Sequence, residues 1–247
     1  MQRFFLNPEC FIDQQVTFPK EITHQIIHVL RLNNGDPVIV LDNSGVCYQV
    51  DLQINPQEMK VTGVIKETRT VTSEPKTHLT LAFGLSSREK VEWILQKGTE
   101  IGVSIFYPFI SSRTLVRSTA ISPKKYSRWE GIIREAAEQS GRGKLPVLHQ
   151  PLDFTVIMSE LNKSHDLCLL AWEGATDGGE NLTKVIKGFL GLSLGMVVGP
   201  EGGFSEDEVK IAVDAGCRVV SLGARILRME TAAMIIPALV LNLLGEL

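Results

Sequence analysis

From residue 78 onward the sequence alternates short apolar runs with amphipathic stretches at helical spacing, and this rhythm constrains the fold more than any other feature. A strand is predicted over residues 78–85 and a helix over 87–102, because apolar side chains recur on one side of the latter. Leu167–Ala171 and residues 195–198 are apolar throughout, as is typical of strands buried on both faces of a parallel sheet. The pattern therefore predicts an α/β domain.

A different rhythm precedes that domain. Residues 36–66 alternate β-rich runs with turn formers, which is typical of a small all-β unit. The runs are residues 38–41, 46–52 and 60–65. A short helix is predicted over about residues 21–31, and a polar stretch with a proline, residues 70–76, separates the two rhythms. The sequence thus predicts two domains, residues 1–72 and 73–247.

Helix boundaries are marked by capping signals. Ser86 with Glu89 resembles a capping box, and Ser122 before Pro123 predicts the start of another helix. The last predicted helix, residues 231–244, is nearly all apolar. Such a helix is either internal or a contact in an oligomer.

Composition argues for ordinary globular domains. Hydrophobic residues make up 44% and charged residues 21% of the chain, which excludes disorder and fibrous repeats. No apolar segment approaches the roughly 20 residues needed to cross a bilayer, and the N-terminal apolar stretch is too short for a signal peptide. We therefore expect a cytoplasmic protein with no membrane partner.

The cysteines and histidines form no recognisable metal site. The four cysteines are widely separated and form no C-x-x-C pair, so free thiols are expected rather than zinc ligands or disulfides. They are Cys10, Cys47, Cys168 and Cys217. His24 and His28 have a spacing that can bind metal on a helix, but no third ligand accompanies them. We expect no metal.

Positive charge is concentrated in one region. The net charge of -3 does not by itself indicate a nucleic-acid binder. Residues 113–144, however, carry more arginines and lysines than acidic residues. Either an RNA-binding surface or a solvated helix face of mixed charge explains this distribution.

A glycine-rich run, GPEGGF from Gly199 to Phe204, follows the predicted strand 195–198. Ser205 with Glu208 forms a second predicted capping box directly after it. A strand, a glycine turn and a capped helix place free backbone amides at the carboxyl end of a sheet, where ligands of α/β proteins bind. It is not a phosphate-binding loop, since no lysine follows. The alternative is a tight connection that binds nothing.

The second candidate loop is SLGARILRMETA, residues 221–232. Ile226 and Leu227 lie between a predicted strand and the last helix, where they could hold a flat heteroaromatic ring such as adenine. Arg228 and Glu230 could then meet a polar substrate. In the alternative interpretation, the arginine is a surface charge and the glutamate a favourable acid in the first turn of a helix.

These motifs together resemble the bacterial 16S ribosomal RNA uracil-N3 methyltransferase family of the knotted SPOUT superfamily. GPEGG alone is shared with other RNA methyltransferases, but the ordered set is specific. The other matching segments are MQRFF at the N-terminus, HVLRL at residues 28–32, KVEWILQKGTEIG at 90–102 and REAAEQSGR at 134–142. The resemblance covers nearly the whole chain.

The resemblance implies a fold, a cofactor and an assembly. Residues 1–72 would form a PUA-like β-barrel that binds RNA, and residues 73–247 a SPOUT α/β domain with a C-terminal trefoil knot. The protein would be a homodimer that binds S-adenosylmethionine within the knot. The implied cofactor-binding residues are Ala171, Gly199, Glu201, Gly202, Leu222, Gly223, Ile226 and Leu227.

The resemblance also implies a reaction on the 16S ribosomal RNA or small ribosomal subunit. Uracil N3 would attack the methyl carbon, and Arg228 would stabilise the uracil oxygens. Glu230 or Glu201 would serve as the base that removes the N3 proton. The implied RNA contacts are Arg3, Arg31, Arg113 and Arg142.

Two other functions remain possible on the sequence. One is a ribose 2′-O-methyltransferase of the same superfamily, against which the MQRFF and HVLRL matches argue. The other is a non-catalytic RNA-binding factor in ribosome assembly. The intact glycine loops favour an enzyme.

Overall fold

The chain folds into two compact units in a computed structural model that describes residues 1–177 and 180–247. The first unit comprises Met1–Glu74 and Ala137–Leu145, and the second comprises Pro75–Ala136 and Pro146–Leu247. Each unit has its own β-sheet. The fold is therefore a mixed α/β arrangement with two sheets, as the change of rhythm in the sequence predicts.

The first unit is built on a six-stranded sheet in the order β1-β4-β5-β6-β3-β2. All neighbouring strands are antiparallel except β1 and β4. The strands are β1 Arg3–Phe5, β2 Phe11–Ile12, β3 Gln15–Thr17, β4 Pro37–Leu41, β5 Val46–Asn55 and β6 Lys60–Thr70. A 3₁₀ turn spans Pro8–Cys10, and helix α1, Lys20–His24, continues as a π-helical turn over Gln25–Val29. The predicted runs and short helix are confirmed.

Alternation along the strands separates two faces of this sheet. Val38, Val40 and Val50 point into the core of the unit and are fully buried. Leu41 and Phe5 lie on the other face and pack against Ala137. This second face explains why Ala137–Leu145, which the sequence-based division leaves with the second domain, packs with the first unit.

Polar contacts fix the same segment. The Glu138 carboxylate accepts a hydrogen bond from the Phe5 amide at 3.0 Å. Arg142 is buried, and its guanidinium donates to Glu74 at 2.8 Å. Burial raises the pKa of Glu74, but the hydrogen bonds and positive charge of Arg142 outweigh it, and the pKa lies below its ordinary value.

The second unit is built on an eight-stranded parallel sheet, in the order β10-β8-β7-β13-β11-β14-β12 with β9 beside β8. The strands are β7 His78–Gly84, β8 Ile105–Ile110, β9 Val147–Leu148, β10 Leu152–Asp153, β11 Leu167–Ala171, β12 Glu180–Asn181, β13 Ser193–Val198 and β14 Arg218–Ser221. The helices are α2 Arg88–Ile101, α3 Pro123–Ser140, α4 Phe154–Ser164, α5 Leu182–Lys187, α6 Glu206–Asp214 and α7 Met229–Leu244, with a 3₁₀ turn at Glu173–Asp177.

The central strands of this sheet are buried on both faces. Leu81 and Met196 point into one apolar cluster, whereas Ala82 and Val197 point into the other. All four side chains are fully buried. The prediction from continuous apolar runs is therefore confirmed.

One of the predicted capping boxes is wrong. The N-cap of α2 is Ser87, and no side-chain cap is formed. The buried Ser86 hydroxyl instead donates to the carboxylate of Glu201. The box of Ser205 and Glu208 at the start of α6 is confirmed.

Helix α7 begins two residues earlier than predicted and is mostly internal. It packs against β7, β13, α2 and α5. Ile235 and Leu239 are its large apolar side chains with substantial exposure, 38% and 42%. Within the described residues, no helix is long and apolar enough to cross a membrane.

Candidate functional site

A cavity of about 400 Å³ lies at the carboxyl ends of β11, β13 and β14. Its volume falls in the range of small-molecule sites, about 300–1,000 Å³. Neighbouring parallel strands deliver their following loops to one edge of the sheet, as the α/β pattern predicts. The lining residues are Lys90, Ala171, Trp172, Glu173, Val198, Gly199, Pro200, Glu201, Gly203, Ser221, Leu222, Gly223, Ala224, Arg225, Ile226, Leu227, Arg228, Met229 and Ala232.

The glycine run after β13 forms one wall, and its glycines are sterically required. A Cβ at Gly199 would lie 3.0 Å from the ring of Phe204. Gly203 has φ +66°, a left-handed conformation, and its amide closes the turn onto the Pro200 carbonyl at 2.9 Å. The run is therefore a tight turn whose backbone faces the cavity.

The loop after β14 forms the opposite wall. The backbone amides of residues 224–228 make no hydrogen bond within the described part of the chain. Ile226 is 82% exposed, whereas Leu222 and Leu227 pack partly on the core. The wall thus offers free donors beside apolar surface, a combination suited to a heteroaromatic ring.

Glu201 lines the cavity and is held by two donors. Its carboxylate accepts hydrogen bonds from the Ser86 hydroxyl and from Lys90 Nζ, the latter at 3.0 Å. Burial raises the pKa of Glu201, but these hydrogen bonds outweigh it, and the pKa lies below its ordinary value. Glu201 is therefore held as an anion, with Oε1 engaged by two donors.

Glu230, in the first turn of α7, lies behind the cavity wall. It is 8% exposed, and its Oε2 has no hydrogen-bond partner among the described residues. Lys90 Nζ lies 3.7 Å from this oxygen, within ion-pair distance. Lys90 thus links two carboxylates that the sequence suggests as bases.

Arg228 lines the cavity from the position directly before α7. The residue is exposed, and its guanidinium makes no hydrogen bond or ion pair with the described residues. Its donors are therefore available to a ligand.

The structure brings most of the predicted site residues together. All predicted cofactor-binding residues line the cavity except Gly202, whose carbonyl accepts a hydrogen bond from Arg113 at 3.1 Å. The resemblance also implies that the strand end at residues 171–173 encloses the cofactor, and all three of these residues line the cavity, whereas sequence reasoning missed Lys90. Lys90 lies within a segment that carries the family resemblance, which was the available signal.

The predicted RNA contacts occupy different environments. Arg3, Arg31 and Arg113 are exposed, whereas Arg142 is buried against Glu74. Arg3 also lines a second cavity, of about 380 Å³, on the first unit.

Cysteines and histidines form no built metal site in the described residues, where no group of three or more possible ligands is arranged to hold an ion. His24 and His28 lie with their ring centroids 4.7 Å apart. Cys168 and Cys217 are a buried pair of free thiols.

Comparisons with known proteins agree on one family. Residues 72–241 match the family model described as an RNA methyltransferase domain. The chain is 35% identical to ribosomal RNA small subunit methyltransferase E of Bacillus subtilis, over 95% of this chain and 93% of that protein. It is 33% identical to the protein of the same name from Synechocystis, over 93% of this chain and 74% of that one.

Solved structures give the same result. The crystal structure of ribosomal RNA small subunit methyltransferase E from Neisseria gonorrhoeae, bound to S-adenosylmethionine, is similar to this chain with a TM-score of 0.85 and 28% identity. The similarity covers 98% of each chain.

Proposed function

The chain belongs to this family of RNA methyltransferases, and from that premise we propose that it transfers a methyl group from S-adenosylmethionine to N3 of a uridine in 16S ribosomal RNA. The observation that carries the proposal is the cavity at the strand ends, bounded by the two glycine-containing loops that carry the resemblance. The substrate is the RNA itself or the small ribosomal subunit, and the site of action is the cytoplasm.

The cavity fits S-adenosylmethionine. The free amides of residues 224–228 can donate to the adenine ring, and Leu222 and Leu227 offer it apolar surface. When bound, the cofactor supplies a methyl carbon made electrophilic by positive sulfur, to which uracil N3 bonds as the carbon–sulfur bond breaks. We assign the predicted cofactor-binding residues to contacts with S-adenosylmethionine. Gly202 does not line the cavity, and it supports the loop through its carbonyl, which accepts a hydrogen bond from Arg113.

The charged residues have distinct proposed roles. Arg228 donates to the uracil oxygens, where negative charge develops as N3 loses its proton. Of the two candidate bases, Glu230 has an oxygen, Oε2, with no hydrogen-bond partner among the described residues, whereas Oε1 of Glu201 accepts from both Ser86 and Lys90. Glu201 lines the cavity and also fixes the turn that contains it.

We further propose that residues 1–72 form a PUA-like β-barrel that binds RNA, and that residues 73–247 form a SPOUT domain with a C-terminal trefoil knot. The first proposal is supported by a small sheet with its own apolar core, and the second by a parallel sheet whose C-terminal loops bound the cavity. A homodimer is supported by the exposed Ile235 and Leu239 on α7.

The direct test supplies the wild-type protein with methyl-labelled S-adenosylmethionine and small ribosomal subunits that lack the modification. We expect label on N3 of a uridine in 16S ribosomal RNA. Label on a ribose 2′ oxygen would instead identify a 2′-O-methyltransferase. A protein that binds RNA but transfers no label, and that gives no heat of binding in a calorimetric titration with the cofactor, would be a non-catalytic assembly factor.

RNA affinity should fall with salt, because phosphate contacts release counterions. We propose Arg3, Arg31 and Arg113 as such contacts, whereas the buried Arg142, paired with Glu74, holds the segment after α3 in place instead of contacting phosphate. Arg3→Ala should reduce the slope of log affinity against log salt by about one. This is measured by fluorescence anisotropy on a labelled 16S fragment.

The matched control is Lys66→Ala, since Lys66 is an exposed cation of the same unit that already pairs with Asp51 at 3.8 Å. Its slope should remain close to that of the wild type. An unchanged slope in Arg3→Ala would remove Arg3 from the set of phosphate contacts.

A further inference from the structure

Building on the proposed function, we propose that Lys90 is a positioning residue for methyl transfer: its ammonium group bridges the carboxylates of Glu201 and Glu230 beside one cavity. The lysine is contributed by α2, the first glutamate by the loop after β13, and the second by α7. Three separate elements therefore meet at one ammonium group.

The geometry places the ammonium where both carboxylates reach it. Nζ lies 3.0 Å from Oε1 of Glu201 and 3.7 Å from Oε2 of Glu230. The side chain of Lys90 is 30% exposed, so it is partly screened by solvent, whereas that of Glu230 is only 10% exposed. The lysine and the two carboxylates thus form an ion-pair cluster beside the cavity that is partly shielded from water.

Two carboxylates that share such a site repel each other, and without a cation one of them takes up a proton. A positive charge between them offsets both the repulsion and the cost of burial. The hydrogen bond to Glu201, opposed by desolvation, raises the pKa of Lys90, so the ammonium form persists at neutral pH.

Loss of Lys90 should affect Glu230 more than Glu201. Glu201 retains the hydrogen bond from Ser86 when the lysine is removed. Oε2 of Glu230 has no hydrogen-bond partner among the described residues, so Lys90 is its nearest source of positive charge there. A buried carboxylate left in that state has a raised pKa.

Among the described residues, no other charged group near this cluster can take the place of the Lys90 ammonium. Within the described chain, Lys90 is the charged side chain that lies within the 4.0 Å ion-pair distance of these two carboxylates. The other charged residues that line the cavity are Glu173, Arg225 and Arg228. Those on the elements packed against α7 are His78 on β7, Arg88, Glu89, Glu92, Lys97 and Glu100 on α2, and Lys184 and Lys187 on α5. Arg88 pairs with Glu92, and Lys97 with Glu100.

The test measures the carboxylates directly in the protein without cofactor. Carbon NMR of glutamate side chains, with Glu230→Gln and Glu201→Gln used for assignment, gives the titration midpoint of each group. In Lys90→Met we expect the Glu230 midpoint to rise by about one pH unit or more, because the cation is lost while the aliphatic stem is kept. Lys90→Arg should keep the midpoint within about 0.5 unit of the wild type, since it retains the charge.

The matched control is Lys97→Met, which removes a cation of the same helix that is paired with Glu100 outside the cavity. It should leave the Glu230 midpoint unchanged. Thermal melting establishes that each variant is folded, and Lys90→Gln replaces Lys90→Met if the latter is not. If Lys90→Met or Lys90→Gln is folded and the titration midpoint of Glu230 stays at the wild-type value, the proposal is overturned.

Activity gives the second readout. The acidic limb of the kcat profile of Lys90→Met should move to higher pH by the same amount as the Glu230 midpoint, and activity lost near neutral pH should return at alkaline pH. A loss that is equal at every pH would indicate a merely structural role and overturn the proposal. Failure of the wild-type protein to methylate RNA would instead reject the proposed function. The NMR titration would still show whether Lys90 sets the midpoint of Glu230.

Discussion

Replacing Arg228 by alanine is expected to lower kcat for methyl transfer by about 10²–10³-fold at saturating RNA and cofactor. Uracil that loses its N3 proton carries negative charge on its carbonyl oxygens, and a guanidinium beside them stabilises this charge more than it stabilises the neutral ground state. Arg228 lines the cavity and donates to no described residue, so its N–H groups are available for that purpose. Single-turnover rates with labelled cofactor measure the effect.

The effect should appear in kcat rather than in binding. Cofactor affinity, measured by calorimetry, should change little in Arg228→Ala, because the adenine is assigned to the backbone amides of residues 224–228, which the substitution leaves in place. Arg228→Lys should be intermediate, since an ammonium keeps the charge but loses the planar fork of donors.

Arg218→Ala is the matched control for this experiment. Arg218 lies on β14, the strand that leads into the same loop, and its guanidinium bonds to Glu180 outside the cavity. Its kcat should match that of the wild type. An Arg228→Ala variant that also kept the wild-type kcat would show that another group stabilises the uracil oxygens.

The parallel sheet and the location of the cavity were predictable from the sequence because they depend on local pattern. Continuous apolar runs such as Leu167–Ala171 have no polar face to present to water, so they must be central strands. Loops that follow parallel strands emerge at the same edge of the sheet, and the two glycine loops follow β13 and β14, which flank β11. Periodicity and connectivity are sufficient for both conclusions.

Lys90 could not be found in this way because its role depends on packing between distant segments. In the sequence it is one of several charges on an amphipathic helix, and nothing local distinguishes it from Lys97. Only the approach of α2 to the loop after β13 brings its ammonium to Glu201. The same packing draws Ser86 away from the helix cap that its position suggests.

Arg142 illustrates a second limit of prediction from local sequence pattern. Its place in a basic stretch after a helix is typical of a surface charge, yet the side chain is 4% exposed and paired with Glu74. The acidic partner lies 68 residues away along the chain, so no local pattern reveals it. The charge therefore fixes the segment after α3 to the first unit.

A second large effect is expected from Gly84→Ala, which tests whether the glycine run is a rigid wall of the cavity. Gly84 ends β7, directly after Phe83, which is paired with Val198 at the end of β13. A Cβ at Gly84 would lie 2.5 Å from Pro200 N and 2.7 Å from its Cα. Backbone atoms cannot rotate away as a flexible side chain would, so the turn itself must move.

That movement should affect stability and binding together. Overpacking of this kind costs about 1–3 kcal/mol of unfolding free energy, which urea denaturation measures. Because the displaced turn contains Glu201, its contacts with Ser86 and Lys90 should loosen as well. A loss of about 1.4 kcal/mol in cofactor binding corresponds to a tenfold weaker affinity, and we expect a loss of at least this size in a calorimetric titration.

A glycine-to-alanine substitution at Gly131 should change the free energy of unfolding in the opposite direction. A Cβ at Gly131, inside α3, would meet no atom within 4 Å, so Gly131→Ala should raise the unfolding free energy by about 0.4–1 kcal/mol and leave cofactor affinity unchanged. The pair separates steric pressure on Pro200 from any general effect of adding a methyl group. If Gly84→Ala bound the cofactor as tightly as Gly131→Ala, the turn would be a compliant wall, and the close approach of β7 to Pro200 would have no part in shaping the site.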